Sequence, residues 1–154
     1  MPSTTRELFT RFVTAMAERD MAALEQVIDP DFVGEYPQSG ERFRGFSAFR
    51  AQLEAYPGGL PRGNASMGDA RLVDDEERWA ITPGYTVLPL AGPQRFTAVV
   101  RTTYPDGSHW HIVSIIEIRD DRIARSTTYF APEFDPPEWR RPLVEIVPRG
   151  QLAE

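Results

Sequence analysis

The two histidines of this sequence are the first candidates for a general base or a metal ligand. The histidines are His109 and His111, and a spacing of two places both on one face of a strand. A zinc site would need a third ligand, and Glu117 shares that face but lies roughly 20 Å from His111 at about 3.3 Å per residue. We therefore expect no metal site. Histidines that bond across strands or to a second subunit are the ordinary interpretation, and a general base is the alternative if this face turns inward.

Glu35 and Tyr36 are neighbours in a short apolar segment, so they point to opposite faces of a strand. If Tyr36 points into a pocket, its phenol is a neutral hydrogen-bond donor, and Glu35 is a solvated or Arg-paired carboxylate. If the faces are reversed, Glu35 becomes the leading candidate for a general base.

The composition excludes several mechanisms. The chain has 154 residues and no Cys, and its 17 basic residues are all Arg. It therefore has no lysine for a Schiff base and no cysteine for a thiolate nucleophile, a disulfide or a thiolate metal site. We expect neither a metal nor another cofactor.

Charge and hydropathy restrict the partners and the location. The net charge of −6 disfavours nucleic acid and anionic membrane, since both attract clustered positive charge. A hydrophobic content of 41% fits one domain over residues 1–154. The N-terminus lacks the profile of a signal peptide, and no run of about 18 apolar residues occurs. These features predict a soluble, cytoplasmic protein.

Three helices are predicted in the first part of the chain. Thr4 and Glu7 form a capping-box pattern ahead of an amphipathic helix. Asp20 caps a second, short helix that carries Ile28. Ser47 caps a third.

Strands are predicted over most of the remainder. One follows the second helix and five follow the third, with turns at sequences such as Asp106-Gly107 and Asp120-Asp121. Helices followed by an antiparallel meander indicate an α+β domain with the helices on one face of the sheet. The predicted strands are residues 31–36, 65–73, 79–90, 94–104, 109–119 and 122–130.

This order of elements and three segments resemble the SnoaL-like branch of the nuclear-transport-factor-2-like superfamily. The segments are ERDMAALEQVIDPDFVGEYP, GFSAFRAQL and IEIRDDRIARSTTYFAP. The resemblance implies a cone-shaped α+β barrel, in which a curved antiparallel sheet wraps around a pocket closed by three N-terminal helices. The superfamily includes polyketide cyclases, ketosteroid isomerases, epoxide hydrolases, dehydratases and non-catalytic binding modules, so the fold leaves the activity open.

The catalytic positions that the resemblance implies lack their catalytic residues. Ketosteroid isomerases use a carboxylate base and an oxyanion hole of Tyr and protonated Asp. By the resemblance, the base falls on Tyr36, the Tyr on Phe12 and the Asp near Ser114. The carboxylate of SnoaL-type cyclases falls on residues 129–131, and no inward strand carries the Arg and Asp of limonene-epoxide-hydrolase-like enzymes.

The resemblance also implies which strand face lines the pocket. It turns Trp110 and Ser114 inward on the strand 109–119, and it turns Ala124, Ser126, Thr128 and Phe130 inward on the strand 122–130. Such hydroxyls orient a ligand oxygen, but an unaided Ser or Thr is a weak base at neutral pH. Core hydroxyls that the backbone satisfies are the alternative interpretation. The candidate ligand-contacting residues are Phe12, Tyr36, Trp110, Ser114, Ser126 and Thr128.

Apolar residues occupy both faces of the strand 109–119, Val113 and Ile115 among them. A sheet with helices on one face should be polar on the other, so a second subunit is the simplest cover and we predict a homodimer. The Pro-rich tail, residues 132–154, carries Phe134 and Trp139 in an extended segment. It is expected to lie across this outer face or over the pocket mouth.

Two functions fit the sequence. The first is a cofactor-independent isomerase, cyclase or hydrolase-type enzyme that acts on an apolar oxygenated substrate, such as a polyketide, a terpenoid or a steroid-like ring. The second is a non-catalytic ligand-binding or dimerisation module of the same fold. A buried carboxylate or imidazole in the cavity would favour the enzyme, and a cavity lined only by apolar groups and hydroxyls would favour binding.

Overall fold

Helices precede most of the sheet, as the sequence predicts. The computed structural model describes residues 4–59, 70–73, 79–80, 88–89 and 94–149. The helices are α1 (Thr5–Glu18), α2 (Met21–Val27) and α3 (Phe46–Glu54), and one 3-10 turn forms at Arg141–Leu143. The strands are β1 (Ile28–Tyr36), β2 (Glu41–Arg44), β3 (Ala70–Val73), β4 (Trp79–Ala80), β5 (Leu88–Pro89), β6 (Arg95–Thr103), β7 (His109–Arg119) and β8 (Arg122–Pro132).

The first two helices begin at the predicted caps. Thr4 Oγ1 accepts from the Glu7 backbone N–H at 3.2 Å, and the Thr4 N–H donates to Glu7 Oε2 at 2.8 Å. Asp20 Oδ1 accepts from the Ala23 N–H at 2.9 Å. Both pairings satisfy backbone N–H groups that have no partner inside a helix.

Two predictions about helix ends are wrong. Ile28 lies in β1 rather than α2, because its backbone is already extended and the strand starts there. Ser47 is not the cap of α3, because the helix begins at Phe46 and Gly45 occupies the cap position. Gly45 has a φ of +81° and donates its N–H to Phe32 O at 2.7 Å. The chain must reverse sharply between β2 and α3, and a residue with positive φ allows this.

Six strands form one curved, open sheet in the order β2-β1-β8-β7-β6-β3. β6, β7 and β8 form the predicted antiparallel meander, while β1 runs parallel to β8. The β7–β8 turn is made by Asp120 and Asp121, both with positive φ, which matches the twist of a tight hairpin. β4 and β5 pair with each other as a separate two-stranded sheet.

One strand of the sheet was not predicted, and two predicted strands are only partly described. β2 was not predicted, because its sequence ERFR has only one apolar residue and no alternation to read. The predicted strands 65–73 and 79–90 appear only as β3, β4 and β5, and their other residues lie outside the described residues.

The core lies between the helices and the inner face of the sheet. Phe9 of α1 packs edge-on against Phe96 of β6, with ring centroids 5.4 Å apart, and both side chains are fully buried. Leu24 of α2 is equally buried. None of the helices in the described part of the chain is long and apolar enough to cross a bilayer.

The C-terminal tail does not bury its apolar side chains in the way that the sequence suggests. Phe134 and Trp139 are each 71% exposed. The tail instead folds back through ion pairs, in which Arg149 contacts Glu133 at 3.4 Å and Asp135 at 2.8 Å. The large apolar side chains of the described tail therefore remain exposed themselves.

Candidate functional site

A cavity of about 370 Å³ lies between the helices and the inner face of the sheet. Most of its described lining side chains are aromatic or aliphatic, and none of them is Asp, Glu, His or Arg. A ligand in contact with this part of the wall meets neutral hydrogen-bonding groups in an apolar surround. The described polar lining residues are Tyr36, Gln52, Tyr56, Thr102, Thr103, Tyr104, Ser114, Ser126 and Thr128.

Alternate residues of three neighbouring strands form the sheet side of the wall. Ser114 of β7 lies between Ala98 of β6 and Thr128 of β8 in the strand register. Their neighbours two residues away face the same cavity, because side chains alternate along a strand. The lining residues from these strands include Ala98, Val100, Thr102, Ile112, Ser114, Ile116, Ser126, Thr128 and Phe130.

The prediction that Ala124 faces the cavity is wrong, because β8 contains a bulge. Glu117 pairs with Arg125 and the next residue, Ile118, pairs with Ile123, so Ala124 has no partner in the ladder. An extra residue in one strand shifts the alternation, and Ile123 lines the cavity instead.

Trp110 does not line the cavity, although the family resemblance points it inward. It sits near the start of β7, where its ring packs edge-on against Tyr104 with centroids 5.7 Å apart. Its Nε1 donates to Ser108 Oγ at 2.8 Å. Tyr104 lines the cavity, so Trp110 supports a residue of the wall without lining the cavity itself.

Tyr36 ends β1 with its ring in the cavity wall. Its hydroxyl donates to Gln52 Oε1 of α3 at 3.3 Å, and its ring packs edge-on against Phe130 at 5.2 Å. Burial raises the pKa of Tyr36 above its ordinary value, and the charge of Glu41 adds to this effect. The phenol is therefore a protonated group at neutral pH and a weak base.

The wall beside Tyr36 depends on a glycine. The ring of Phe43, which also lines the cavity, lies directly over Gly34 of β1. A Cβ at Gly34 would stand 2.1 Å from Phe43 Cζ, so any larger residue would displace this ring. Glycine here permits the close approach rather than a special backbone angle.

The two central hydroxyls of the cavity bond to each other. Ser114 Oγ and Thr128 Oγ1 are 3.0 Å apart, and Thr128 is only 7% exposed. Each hydroxyl keeps further acceptor capacity, since an oxygen has two lone pairs. Phe12 and Ser126 line the same cavity. Phe12, Tyr36 and Ser114, which the family resemblance assigns to isomerase positions, thus line one cavity and carry no carboxylate.

Glu35 lies on the opposite face of β1, so its role as a general base in the cavity is excluded. Its Oε1 accepts from Arg42 at 2.7 Å and from Arg125 at 3.0 Å. Burial acts to raise the pKa of Glu35, but the hydrogen bonds and charges of these two arginines outweigh it and hold the pKa below its usual range. The carboxylate is an ion-pair partner, which is the ordinary interpretation of the sequence.

The histidines also lie outside the cavity. His109 is exposed and its Nδ1 is 2.9 Å from Thr103 Oγ1, while His111 Nε2 is 3.2 Å from Glu133 Oε1. Glu117 bonds to Arg95. No group of three His, Cys, Asp or Glu side chains that could hold a metal occurs within the described ranges.

Sequence reasoning missed five polar residues of the described cavity wall, which are Gln52, Tyr56, Thr102, Thr103 and Tyr104. Gln52 stands beside Leu53 on the cavity side of α3. Tyr56 belonged to the predicted helical repeat but follows the helix end. Tyr104 continues the inward alternation of Val100 and Thr102 one step beyond β6. That alternation was the one signal in the sequence that could have placed Tyr104 in the cavity wall.

Comparison with known proteins agrees with this architecture. A family model for the SnoaL-like domain matches residues 9–126. A search of the curated proteins found no significant match.

Solved structures with the same fold span almost the whole chain. An NTF-2 like protein of unknown function from Burkholderia xenovorans is 24% identical, with a TM-score of 0.63 over 93% of this chain and 94% of its own. A candidate ketosteroid isomerase from Kribbella flavida is 23% identical, with a TM-score of 0.63 over 94% and 90%. A candidate polyketide cyclase from Pseudomonas putida is 21% identical, with a TM-score of 0.59 over 82% and 91%. Likeness at this level of identity shows the fold alone.

Proposed function

We propose that this chain, which belongs to the SnoaL-like domain family, binds one small molecule inside its cone. The molecule is neutral and largely apolar, and it carries an oxygen group. The observation that supports this most is the described wall of the cavity, which combines aromatic and aliphatic side chains with Tyr, Gln, Ser and Thr and has no ionised group. A volume of about 370 Å³ suits a small ring system such as a terpenoid or a compact polyketide.

Binding without proton transfer is the function that this wall favours. Moving a proton from carbon requires a base whose pKa is near neutrality, usually a carboxylate or an imidazole. Ser114, Ser126 and Thr128 are weak bases without such a partner, and burial makes the Tyr36 phenol less ready to ionise. The carboxylate of Glu35 is held in an ion pair with Arg42, and the imidazole of His111 contacts Glu133, both on the other side of the sheet.

An enzymatic function of the isomerase or cyclase type is the second candidate. It is supported by the designations of the Kribbella and Pseudomonas neighbours and by the positions of Phe12, Tyr36 and Ser114 around one cavity. If the protein only binds its ligand, it should show no detectable isomerisation of a Δ5-ketosteroid. Turnover of that substrate that is lost in Tyr36→Phe would overturn the binding proposal in favour of catalysis.

The binding proposal is tested by titrating the protein with terpenoid and small polycyclic ketones in a calorimeter. Tyr36→Phe should weaken a ligand that bonds to this hydroxyl by about 0.5 to 1.5 kcal/mol, because one neutral hydrogen bond is lost. Tyr129→Phe is the matched control, since Tyr129 lies on the outer face of β8 and is 36% exposed. Equal effects of the two substitutions would contradict a ligand at Tyr36.

A further inference from the structure

Four polar side chains near the ends of β1, α3 and β6 form two contacting pairs in the cavity wall. Tyr36 ends β1, Gln52 belongs to α3, Tyr56 follows α3 and Tyr104 follows β6. All four line the cavity. The rings of Tyr56 and Tyr104 stack with centroids 5.7 Å apart and planes within 20° of each other. We call these four residues the phenol cluster.

The phenol cluster has unused hydrogen-bond donors. Tyr36 donates to Gln52 Oε1, which leaves the Gln52 amide N–H groups available. Within the described part of the chain, neither the Tyr104 nor the Tyr56 hydroxyl has a hydrogen-bond partner. A half-buried donor in an apolar wall is unfavourable without an acceptor, so this part of the cavity wall is complementary to an acceptor oxygen.

The cluster stays neutral and donating at physiological pH. Burial, which is the largest cause, and the neighbouring phenols Tyr56 and Tyr36 together raise the pKa of Tyr104 to about 12. The described cavity wall has no cation. A ligand carboxylate would lose its hydration there without gaining an opposite charge, whereas a carbonyl loses far less.

Two aromatic neighbours hold the ring of Tyr104 in place. Tyr56 stacks on it, and Trp110 packs edge-on against it at 5.7 Å. Trp110 is itself bonded to Ser108, whose backbone N–H donates to Asp106 Oδ1 at 2.8 Å in the β6–β7 turn. A donor whose ring is fixed before binding loses little conformational entropy when a ligand arrives.

We propose that Tyr104 is the specificity-determining donor of the cavity and that the phenol cluster takes the carbonyl oxygen of a neutral ligand in preference to a carboxylate or a bare hydrocarbon. This inference rests on the proposed function, since it places the oxygen group of the same ligand. The apolar ring of the ligand then extends toward Val100, Ile112 and Ile116.

The test uses three probes of one size: trans-1-decalone, trans-decalin and trans-decalin-1-carboxylate. Calorimetric titration should show that Tyr104→Phe weakens decalone binding about 3- to 10-fold, because one hydrogen bond is lost, and leaves decalin binding unchanged. The carboxylate should bind the unaltered protein at least about 10-fold more weakly than decalone. Tyr129→Phe, on the outer face, should change none of the three affinities.

The outcomes separate the two proposals. An equal loss for decalone and decalin in Tyr104→Phe, or no loss for either, overturns the role of Tyr104 while binding in the cone stands. Preferential binding of the carboxylate overturns the selectivity. Failure of all three probes to bind overturns the inference together with the proposed function.

Discussion

The two faces of the sheet differ in chemistry although their residues alternate along the same strands. On β7, Ile112, Ser114 and Ile116 face the cavity, where the described wall carries no ionised side chain. The opposite face of the same strand carries His111 and Glu117; Glu117 pairs with Arg95, and His111 contacts Glu133. Residue types that suggest acid–base chemistry thus lie where they serve packing and electrostatics. Their orientation, rather than their presence, decides what the site can do.

The outer face is organised around buried carboxylates with arginine partners. Glu133 is 5% exposed and contacts Arg101 at 2.7 Å and His111 at 3.2 Å. The hydrogen bond from Arg101 is the main reason that the pKa of Glu133 falls to about 2, against the opposing effect of burial. Asp29 is similarly paired with Arg119 at 2.9 Å. The inner face has no described arrangement of this kind.

The sharpest comparison of the two faces uses adjacent isoleucines. Ile116→Ala removes a core side chain that is 3% exposed and should lower the free energy of unfolding by about 2 to 5 kcal/mol, because it enlarges the cavity. Ile115→Ala, on the half-buried outer face, should lower it by roughly 1 to 2 kcal/mol. Urea unfolding measures both values. A larger loss for Ile115 would show that the outer face carries the main core.

Glu133→Gln tests the electrostatics of the outer face. It should lower the free energy of unfolding at pH 7 by about 1 to 2 kcal/mol, since a charged hydrogen-bond network is lost and its arginine heads are partly solvated. The folded-state pKa lies below the ordinary 4.5, so the stabilisation is complete above that pH and is lost as the pH falls toward 2. The difference from the unaltered protein should therefore shrink between pH 5 and pH 3.

Glu54→Gln is the control for this measurement. Glu54 pairs with Arg50 on α3, and both side chains are more than half exposed. Its loss should change stability by less than about 0.5 kcal/mol. If Glu133→Gln is no more harmful than this surface substitution, or if its effect grows on acidification, the network does not stabilise the fold.

The third prediction concerns what covers the outer face. We propose that a second copy of the chain packs there, over Val113 and Ile115. Val113→Arg should then convert a homodimer to a monomer and change the stability of the protomer by less than about 1 kcal/mol. Light scattering at micromolar concentration measures the mass. A monomeric unaltered protein would contradict the proposal, and Ala51→Arg, on the exposed side of α3, should leave the dimer intact.

Local sequence signals were sufficient for several elements of the fold. The Thr4 and Asp20 caps and the Asp120-Asp121 turn were predicted because each depends on residues within a few positions of one another. The start of α3 was mispredicted, because its cap residue Gly45 is held by a hydrogen bond to Phe32 of β1, which lies many residues earlier in the chain. β2 was missed because it forms by pairing with β1 and has little pattern of its own.

The candidate site was predictable only in part, because some of its features depend on contacts between distant segments of the chain. Strand alternation placed Ser114, Ser126 and Thr128 on one face, and the family resemblance chose which face lies inside. The bulge at Ala124 shifted the pattern by one residue, which no local feature of the strand indicated. Tyr104 is far in sequence from Gln52 and Tyr56, and it reaches Tyr56 only because β6 ends beside the segment that follows α3.

The sequence by itself determined the absence of lysine and cysteine chemistry, the α+β order of elements and the alternation that separates Glu35 from Tyr36. These properties follow from composition and from interactions between near neighbours. Only the tertiary structure decided that Glu35 is paired with arginines and His111 contacts Glu133 outside the cavity, that Trp110 packs against Tyr104 and that the phenol cluster exists. Each of these depends on strand register and on the curvature of the sheet, which are set by packing between distant segments.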